Sequence, residues 1–127
     1  MEVPHSRINY SNYGKRINCY AWGEWVDIGQ SDRASPGGVI LRYTRGFSGT
    51  SSASAIIAGV AIAVQSISET RYNMRLSPSQ MRNILSSDQY GTASVNGRTR
   101  DKIGVMPDLK KIIDHCLHVP ANQLPGC

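Results

Sequence analysis

The sequence predicts an α/β fold organised around one central helix, and three features carry that prediction. Residues 46–68 carry no charge and change from Gly, Ser and Thr to a run of Ala, Ile and Val, as a turn that opens into an apolar helix does. Residues 17–22 are rich in Ile, Cys, Tyr and Trp and end at a glycine, which is typical of a short strand. Two further helix starts follow, at residues 76–81 and 107–108. The 127 residues suit one small domain or a piece of a larger one.

The central helix is predicted to be buried on all sides. From residue 53 to residue 64 every position except Ser54 is Ala, Ile, Val or Gly, so the helix has no polar face. A membrane-spanning helix needs about 20 apolar residues. Because the apolar run stops at Gln65, the sequence favours a core helix and no contact with a membrane.

The turn before the helix is typical of a site that presents a nucleophilic serine. The first turn of a helix has unpaired backbone N–H groups, so a hydroxyl placed there lies next to hydrogen-bond donors that can stabilise a negative charge. Residues 49–54 have the sequence Gly-Thr-Ser-Ser-Ala-Ser, and Ala58 and Gly59 follow. This pattern resembles the nucleophile motif of the subtilisin-like serine peptidases, Gly-Thr-Ser-x-Ala-(Ser/Thr)-Pro-x-x-Ala-Gly. Two positions depart from it: Ala55 replaces the family's proline, and Ile56 a frequent histidine.

The resemblance implies a fold, a reaction and two site residues. The fold is the C-terminal portion of a subtilisin-like three-layer α/β architecture, with a parallel sheet and a buried central helix. The reaction is peptide-bond hydrolysis through an acyl-enzyme on Ser51, whose own N–H contributes to the oxyanion hole, with Thr50 as oxyanion support. The family's order is Asp, His, an oxyanion Asn and then Ser, and this chain matches only the last. We therefore expect a serine endopeptidase fragment that is inactive as the isolated chain.

The resemblance covers residues 11–113 and gives the predicted organisation. Residues 11–14, Ser-Asn-Tyr-Gly, and the strand ending in Ala-Trp-Gly are similar to the family segment that precedes the serine loop. The whole chain, 1–127, is predicted to be a partial peptidase domain. Its parts are a strand and loop region (1–46), the nucleophile turn and buried helix (47–68), C-terminal helices (69–118) and a loose tail (119–127). Residues 24–45 are expected to form a loop, with a hairpin as the alternative.

The two later helices are predicted from their caps and their spacing. Ser77 can cap the first, with Pro at the next position and Gln80 to close a capping box. The last helix starts at Pro107 and Asp108, and its apolar residues recur at core spacing up to Cys116. Both helices are expected to have structural roles.

Three histidines and three cysteines are candidates for chemistry, and the sequence favours a structural interpretation of each. His5 lacks the His-Gly-Thr context of the family's base, and His115 and His118 are expected at the exposed end of the last helix. Cys19, Cys116 and Cys127 have no metal-ligand spacing, and their odd number argues against a disulfide framework. No cofactor is expected, and structural calcium, common in the family, is expected only in a complete parent.

Charge and processing signals bound the partners and the compartment. The net charge of +5 is spread along the chain without a basic block, which disfavours a specific nucleic-acid site. The expected partners are a polypeptide substrate in a complete parent and a second copy that associates through an exposed sheet edge. A non-catalytic interaction protein derived from a peptidase is the main alternative, and a basic nucleic-acid-binding module a weaker one. Residues 1–5 have no signal-peptide pattern, although the family is mostly secreted, so the compartment stays unassigned.

Overall fold

The fold combines helices and short strands, as the α/β prediction requires, and the computed structural model describes residues 5–31 and 41–118. In chain order the elements are β1 (Val26–Ser31), β2 (Leu41–Phe47), α1 (Thr50–Tyr72), α2 (Pro78–Leu85), β3 (Gly91–Ala93), α3 (Arg98–Asp101), β4 (Val105–Pro107) and α4 (Leu109–Lys111), which continues into a π-helical turn at Ile112–Cys116. The predicted tail, residues 119–127, lies outside the described residues. The described part thus contains all the predicted helices and adds one short helix, α3, and two short strands, β3 and β4.

The strands form two antiparallel pairs. β1 pairs with β2, with Val26 opposite Phe47 and Ile28 opposite Thr44. This pairing confirms the hairpin alternative for residues 24–45, of which 32–40 lie outside the described residues. β3 pairs with β4, with Thr92 opposite Met106. Within residues 5–31 and 41–118 there is no parallel sheet.

The segment predicted as a strand at residues 17–22 is extended and touches β4 at one point. A parallel bridge joins Cys19 to Val105. The Tyr20 N–H donates to the Val105 carbonyl at 2.9 Å, and the Val105 N–H donates to the Asn18 carbonyl at 3.4 Å. Regular pairing does not continue beyond these bonds, so the predicted strand is present only as an isolated bridge at Cys19.

Helix α1 is longer than its apolar run and much less buried than predicted. It covers 23 residues and ends at Asn73, whose left-handed conformation (φ 50°) lets its N–H donate to the Glu69 carbonyl. Ser52, Val64 and Ser68 are its buried residues, whereas Ile62 is 70% exposed. The prediction of burial on all sides is therefore wrong for the described chain.

One face of α1 accounts for its contribution to the core. The buried cluster is formed by residues of α1, α2, the loops on either side of α2 and the C-terminal segment, namely Val64, Leu76, Ile84, Leu85, Tyr90, Ile112, Cys116 and Leu117. Ile57, Val60, Ala61 and Ile67 pack against it and recur at helical spacing along α1. The described elements lie on that face alone, which leaves the opposite face of α1 in solvent.

The length of α1 also changes the argument about membranes. By length and composition α1 is long and apolar enough to cross a bilayer, and only 11% of its most apolar stretch is buried. The apolar run does stop at Gln65, but only two charged residues, Glu69 and Arg71, follow within the helix. Length therefore does not exclude a membrane, contrary to the expectation from the run alone.

Local capping signals in the later helices are confirmed. The Ser77 Oγ accepts the Gln80 N–H at 3.3 Å, and the Gln80 side chain accepts the Ser77 N–H at 2.9 Å. Asp108 caps α4 by accepting the Lys111 N–H at 3.1 Å.

One cysteine differs from the expectation that the chain has no disulfide framework. Cys116 is disulfide-bonded, whereas Cys19 is a free thiol. Cys116 therefore holds a covalent crosslink as well as a core position.

We predict that Ser77→Ala lowers the free energy of unfolding by about 1 kcal/mol, because the reciprocal cap of α2 is lost. The measurement is chemical denaturation followed by circular dichroism. Ser66→Ala, on the exposed surface of α1, is the matched control and is expected to be neutral or slightly stabilising. Equal effects of the two substitutions would contradict the capping assignment.

Two glycines with nearly the same positive φ angle allow a second prediction. Gly104 has φ 76° and Gly97 has φ 78°, but a Cβ at Gly104 would lie 2.0 Å from the Asn18 carbonyl oxygen, whereas a Cβ at Gly97 meets nothing within 4 Å. Gly97→Ala adds backbone strain alone, about 1–3 kcal/mol, because φ 78° with ψ 161° is a region almost confined to glycine, while Gly104→Ala adds a backbone clash that costs about 1–3 kcal/mol more. Comparison of the two denaturation midpoints checks this. Similar midpoints would show that Asn18 and Gly104 are not in close contact.

Candidate functional site

The candidate nucleophile Ser51 is the second residue of α1 and is exposed. Gly49 precedes the helix with φ 137° and ψ 158°, a conformation that favours glycine, and supplies no side-chain cap. Within the described ranges neither the Ser51 hydroxyl nor its N–H has a hydrogen-bond partner. The turn thus presents a hydroxyl and a backbone donor of one residue to solvent.

Two contacts fasten this turn to the extended segment that ends at Gly23. The Gly49 N–H donates to the Gly23 carbonyl at 2.6 Å. The Ser52 Oγ lies 2.8 Å from the Gly49 carbonyl and 3.2 Å from the Trp22 carbonyl, so its single proton is shared between two acceptors. Ser52 is 4% exposed and points inward, while the adjacent Ser51 points outward. Sequence reasoning missed this anchoring role, although the 100° step between helical neighbours would have separated the two serines.

Thr50, the predicted oxyanion support, is adjacent to Ser51 but lies against a different space. Thr50 and Ser54 line a large cavity, and the Ser54 Oγ donates to the Thr50 carbonyl at 3.0 Å. Ser51 is not among the residues that line this cavity. The two predicted site residues are neighbours in sequence, but only Thr50 lines the cavity. Their side chains therefore do not converge on one point.

The cavity is open and has a volume of about 1300 Å³. The extended segment from Arg16 to Trp25 forms one wall, and the start of α1, α2 and Met106 form the other. Three arginines line it, Arg7, Arg16 and Arg82, against one carboxylate, Glu24. The cavity is thus lined by a mixture of apolar and polar side chains with an excess of positive charge, and it lies directly beside the nucleophile turn.

None of the three histidines is hydrogen-bonded to Ser51. His5 lines the cavity, with its Nδ1 3.2 Å from the Tyr20 hydroxyl and its ring 5.0 Å from that of Trp22. The Tyr20 hydroxyl also donates to the Thr92 carbonyl at 3.2 Å, so His5 and Tyr20 form a small hydrogen-bonded group that does not include Ser51. His115 and His118 are exposed at the C-terminal end, as predicted.

The described carboxylates do not complete a catalytic triad. Asp101 is 5% exposed and accepts from the Asn96 amide at 3.2 and 3.3 Å, and no described carboxylate is hydrogen-bonded to a histidine. Burial, together with the Asp101 charge, raises the pKa of Tyr20 and keeps its phenol neutral. Among the described residues no group of three or more His, Cys, Asp or Glu side chains can hold a metal ion.

No family model, curated protein or solved structure matches this chain. The resemblance to subtilisin-like peptidases therefore rests on the motif at residues 49–59 and on the residues around it. What the structure adds independently is the exposed Ser51 at the start of a long helix, anchored through Gly49 and Ser52.

The reactivity of the free Cys19 thiol can be used to measure how far the cavity wall is buried. Cys19 is half-buried in the cavity wall, and burial raises the pKa of its thiol. We predict that alkylation of Cys19 accelerates with pH around a midpoint above that of free cysteine, because the thiolate is the reactive form and burial disfavours it. Mass spectrometry of the peptide that contains residue 19 measures the rate, and Cys19→Ser is the blank. A midpoint at or below that of free cysteine would contradict the burial.

Proposed function

We propose that Ser51 is the nucleophile of a subtilisin-like serine endopeptidase and that this chain forms the C-terminal portion of its three-layer catalytic domain. The observation that supports the proposal is the exposed Ser51 hydroxyl in the uncapped first turn of a 23-residue helix. The motif around it supports the same assignment. The base, its orienting carboxylate and the oxyanion asparagine come from polypeptide outside the described residues.

The proposed reaction is acyl transfer in two steps. A histidine base takes the proton of the Ser51 hydroxyl as Oγ attacks the carbonyl carbon of a peptide bond. The resulting oxyanion accepts a hydrogen bond from the Ser51 N–H, which is unpaired within the described residues. The histidine then gives its proton to the leaving amine, and water hydrolyses the acyl-enzyme by the reverse proton path. The substrate is a polypeptide.

The described part of the chain supplies only some of these groups. It contributes the nucleophile and one backbone donor, whereas His5 is hydrogen-bonded to Tyr20 and not to Ser51. Without its base a serine nucleophile loses several orders of magnitude in rate. We therefore propose that peptidase activity requires a polypeptide that brings Asp, His and Asn to the nucleophile turn.

The second candidate function is a non-catalytic interaction protein. The observation that favours it is the exposed face of α1, which includes Ile62 at 70% exposure. A contiguous apolar face in solvent is typical of a protein–protein or membrane interaction surface. In that case Ser51 would have a structural role and no enhanced reactivity.

We predict that a fluorophosphonate probe labels Ser51 rapidly when the chain is co-expressed with a polypeptide carrying the family's Asp, His and Asn, and slowly in the chain alone. Ser51→Ala should abolish labelling of the complemented protein, and the exposed Ser66→Ala is the matched control that should retain it. The site is read by mass spectrometry. Labelling that persists in Ser51→Ala, or a complemented protein that never reacts, would favour the non-catalytic alternative.

A further inference from the structure

One edge of the extended segment at residues 17–21 has no backbone partner. Its other edge meets β4, because the Tyr20 N–H and the Asn18 carbonyl bond to Val105. Successive residues of an extended chain point their backbone groups to opposite sides. The N–H and carbonyl groups of Cys19 therefore point away from β4, and neither these groups nor those of Ala21 bond to a described residue. Both residues line the cavity.

The free edge has defined ends. The Ile17 N–H is bonded to the Gly14 carbonyl at 3.0 Å, which closes one end, and the Gly23 carbonyl accepts the Gly49 N–H, which closes the other. About five residues lie between these points, close to the usual length of a strand. An unpaired edge of this length is a template for strand addition from another polypeptide.

The charge of the cavity indicates what such a strand carries. The Arg7 Nε is buried without a hydrogen-bond partner among the described residues, and its guanidinium lies 4.3 Å from the centre of the Tyr13 ring. Arg16 and Arg82 add two further positive charges, while the single lining carboxylate, Glu24, already accepts from the Tyr10 hydroxyl at 3.1 Å. A buried unpaired donor is unfavourable, and a carboxylate is the acceptor that suits a guanidinium best.

The remaining wall suits the alternate side chains of a strand. Ile8, Ala53, Ile57, Leu85 and Met106 are apolar and line the same cavity. A strand pairs its backbone along one direction and points every second side chain to one face, so one row of side chains would pack on this wall. A second copy of this chain is a poor occupant because its net charge of +5 opposes the arginines.

We propose that the cavity is the docking site of an extended polypeptide segment that adds a β-strand along residues 17–21 and sets acidic side chains against Arg7, Arg16 and Arg82. The inference rests on the proposed function in one respect, that the segment belongs to the polypeptide that brings the base to Ser51. The geometry of the edge supports this link, since the edge ends at Gly23, which holds Gly49 two residues before Ser51.

The test uses the full chain and two ten-residue peptides of alternating Val and Thr, one flanked by Glu and the other by Lys. Binding is followed by Trp fluorescence, because Trp22 lines the cavity, and by amide hydrogen exchange resolved by NMR. The Glu-flanked peptide is expected to slow exchange at the Cys19 and Ala21 N–H groups by about tenfold or more and to leave Tyr20, already bonded to Val105, little changed. The Lys-flanked peptide is expected to give no such protection.

Charge-reversal variants test the acidic partner. Arg16→Glu and Arg82→Glu are expected to weaken binding of the Glu-flanked peptide by roughly five- to tenfold each. Arg75→Glu is the matched control, since Arg75 has an 86% exposed side chain and does not line the cavity, and it should bind as the unmodified chain does. Both rim arginines are exposed, so thermal melts of all variants should agree.

Four outcomes would overturn the docking proposal. They are equal protection by both peptides, binding without protection at Cys19 and Ala21, protection that grows with protein concentration without peptide, and protection by phosphatidylserine vesicles in place of the peptide. The third would assign the edge to a second copy, and the fourth would assign the cavity to a membrane. Rapid fluorophosphonate labelling of Ser51 in a complemented protein, with no edge protection, would reject the docking site and retain the proposed function. Edge protection without labelling would do the opposite.

Discussion

The hydrogen bond from the Gly49 N–H to the Gly23 carbonyl, 2.6 Å long, is the contact on which the described site depends. It joins the turn that carries Ser51 to the extended segment that lies on β4. Ser52 reinforces the joint by sharing its proton between the carbonyls of Gly49 and Trp22. Without this contact the start of α1 would be free to move against the segment, and neither the cavity wall nor the orientation of Ser51 would be defined.

The elements that sequence predicted well are those that local hydrogen bonds decide. The capping box at Ser77 and the cap at Asp108 form as expected because all their partners lie within four residues. The prediction that α1 is buried on all sides was wrong because burial depends on distant parts of the chain. An apolar composition shows that a helix needs cover, but which elements provide it is a tertiary property, and in the described chain they reach only the face around Val64. Strands β3 and β4, three residues each, have too few residues for a recognisable alternation.

In the candidate site, too, the features that depend on contiguous residues were predicted and those that depend on tertiary contacts were not. The position and exposure of Ser51 could be predicted because a Gly-Thr-Ser turn and the helix after it are contiguous in sequence. The inward role of Ser52 depends on the carbonyl of Trp22, 30 residues away, and was missed. The cavity was missed as well, since its arginines come from three separate segments and become neighbours only after folding. The disulfide at Cys116 was missed because the parity of the cysteines says nothing about a single bridge.

The free edge and the nucleophile turn are joined through Gly23, so a strand bound at the edge would also affect the turn. Residues 17–21 offer unpaired backbone groups to the cavity, and the same segment ends at the carbonyl that holds Gly49. A strand bound along the edge would order the segment and, through Gly23, the turn that carries Ser51. Under the function proposed above, the partner would then both bring the base and fix Ser51 against it. Because serine, base and oxyanion donors act as a unit, reactivity would rise far more steeply with strand docking than the stability of the chain.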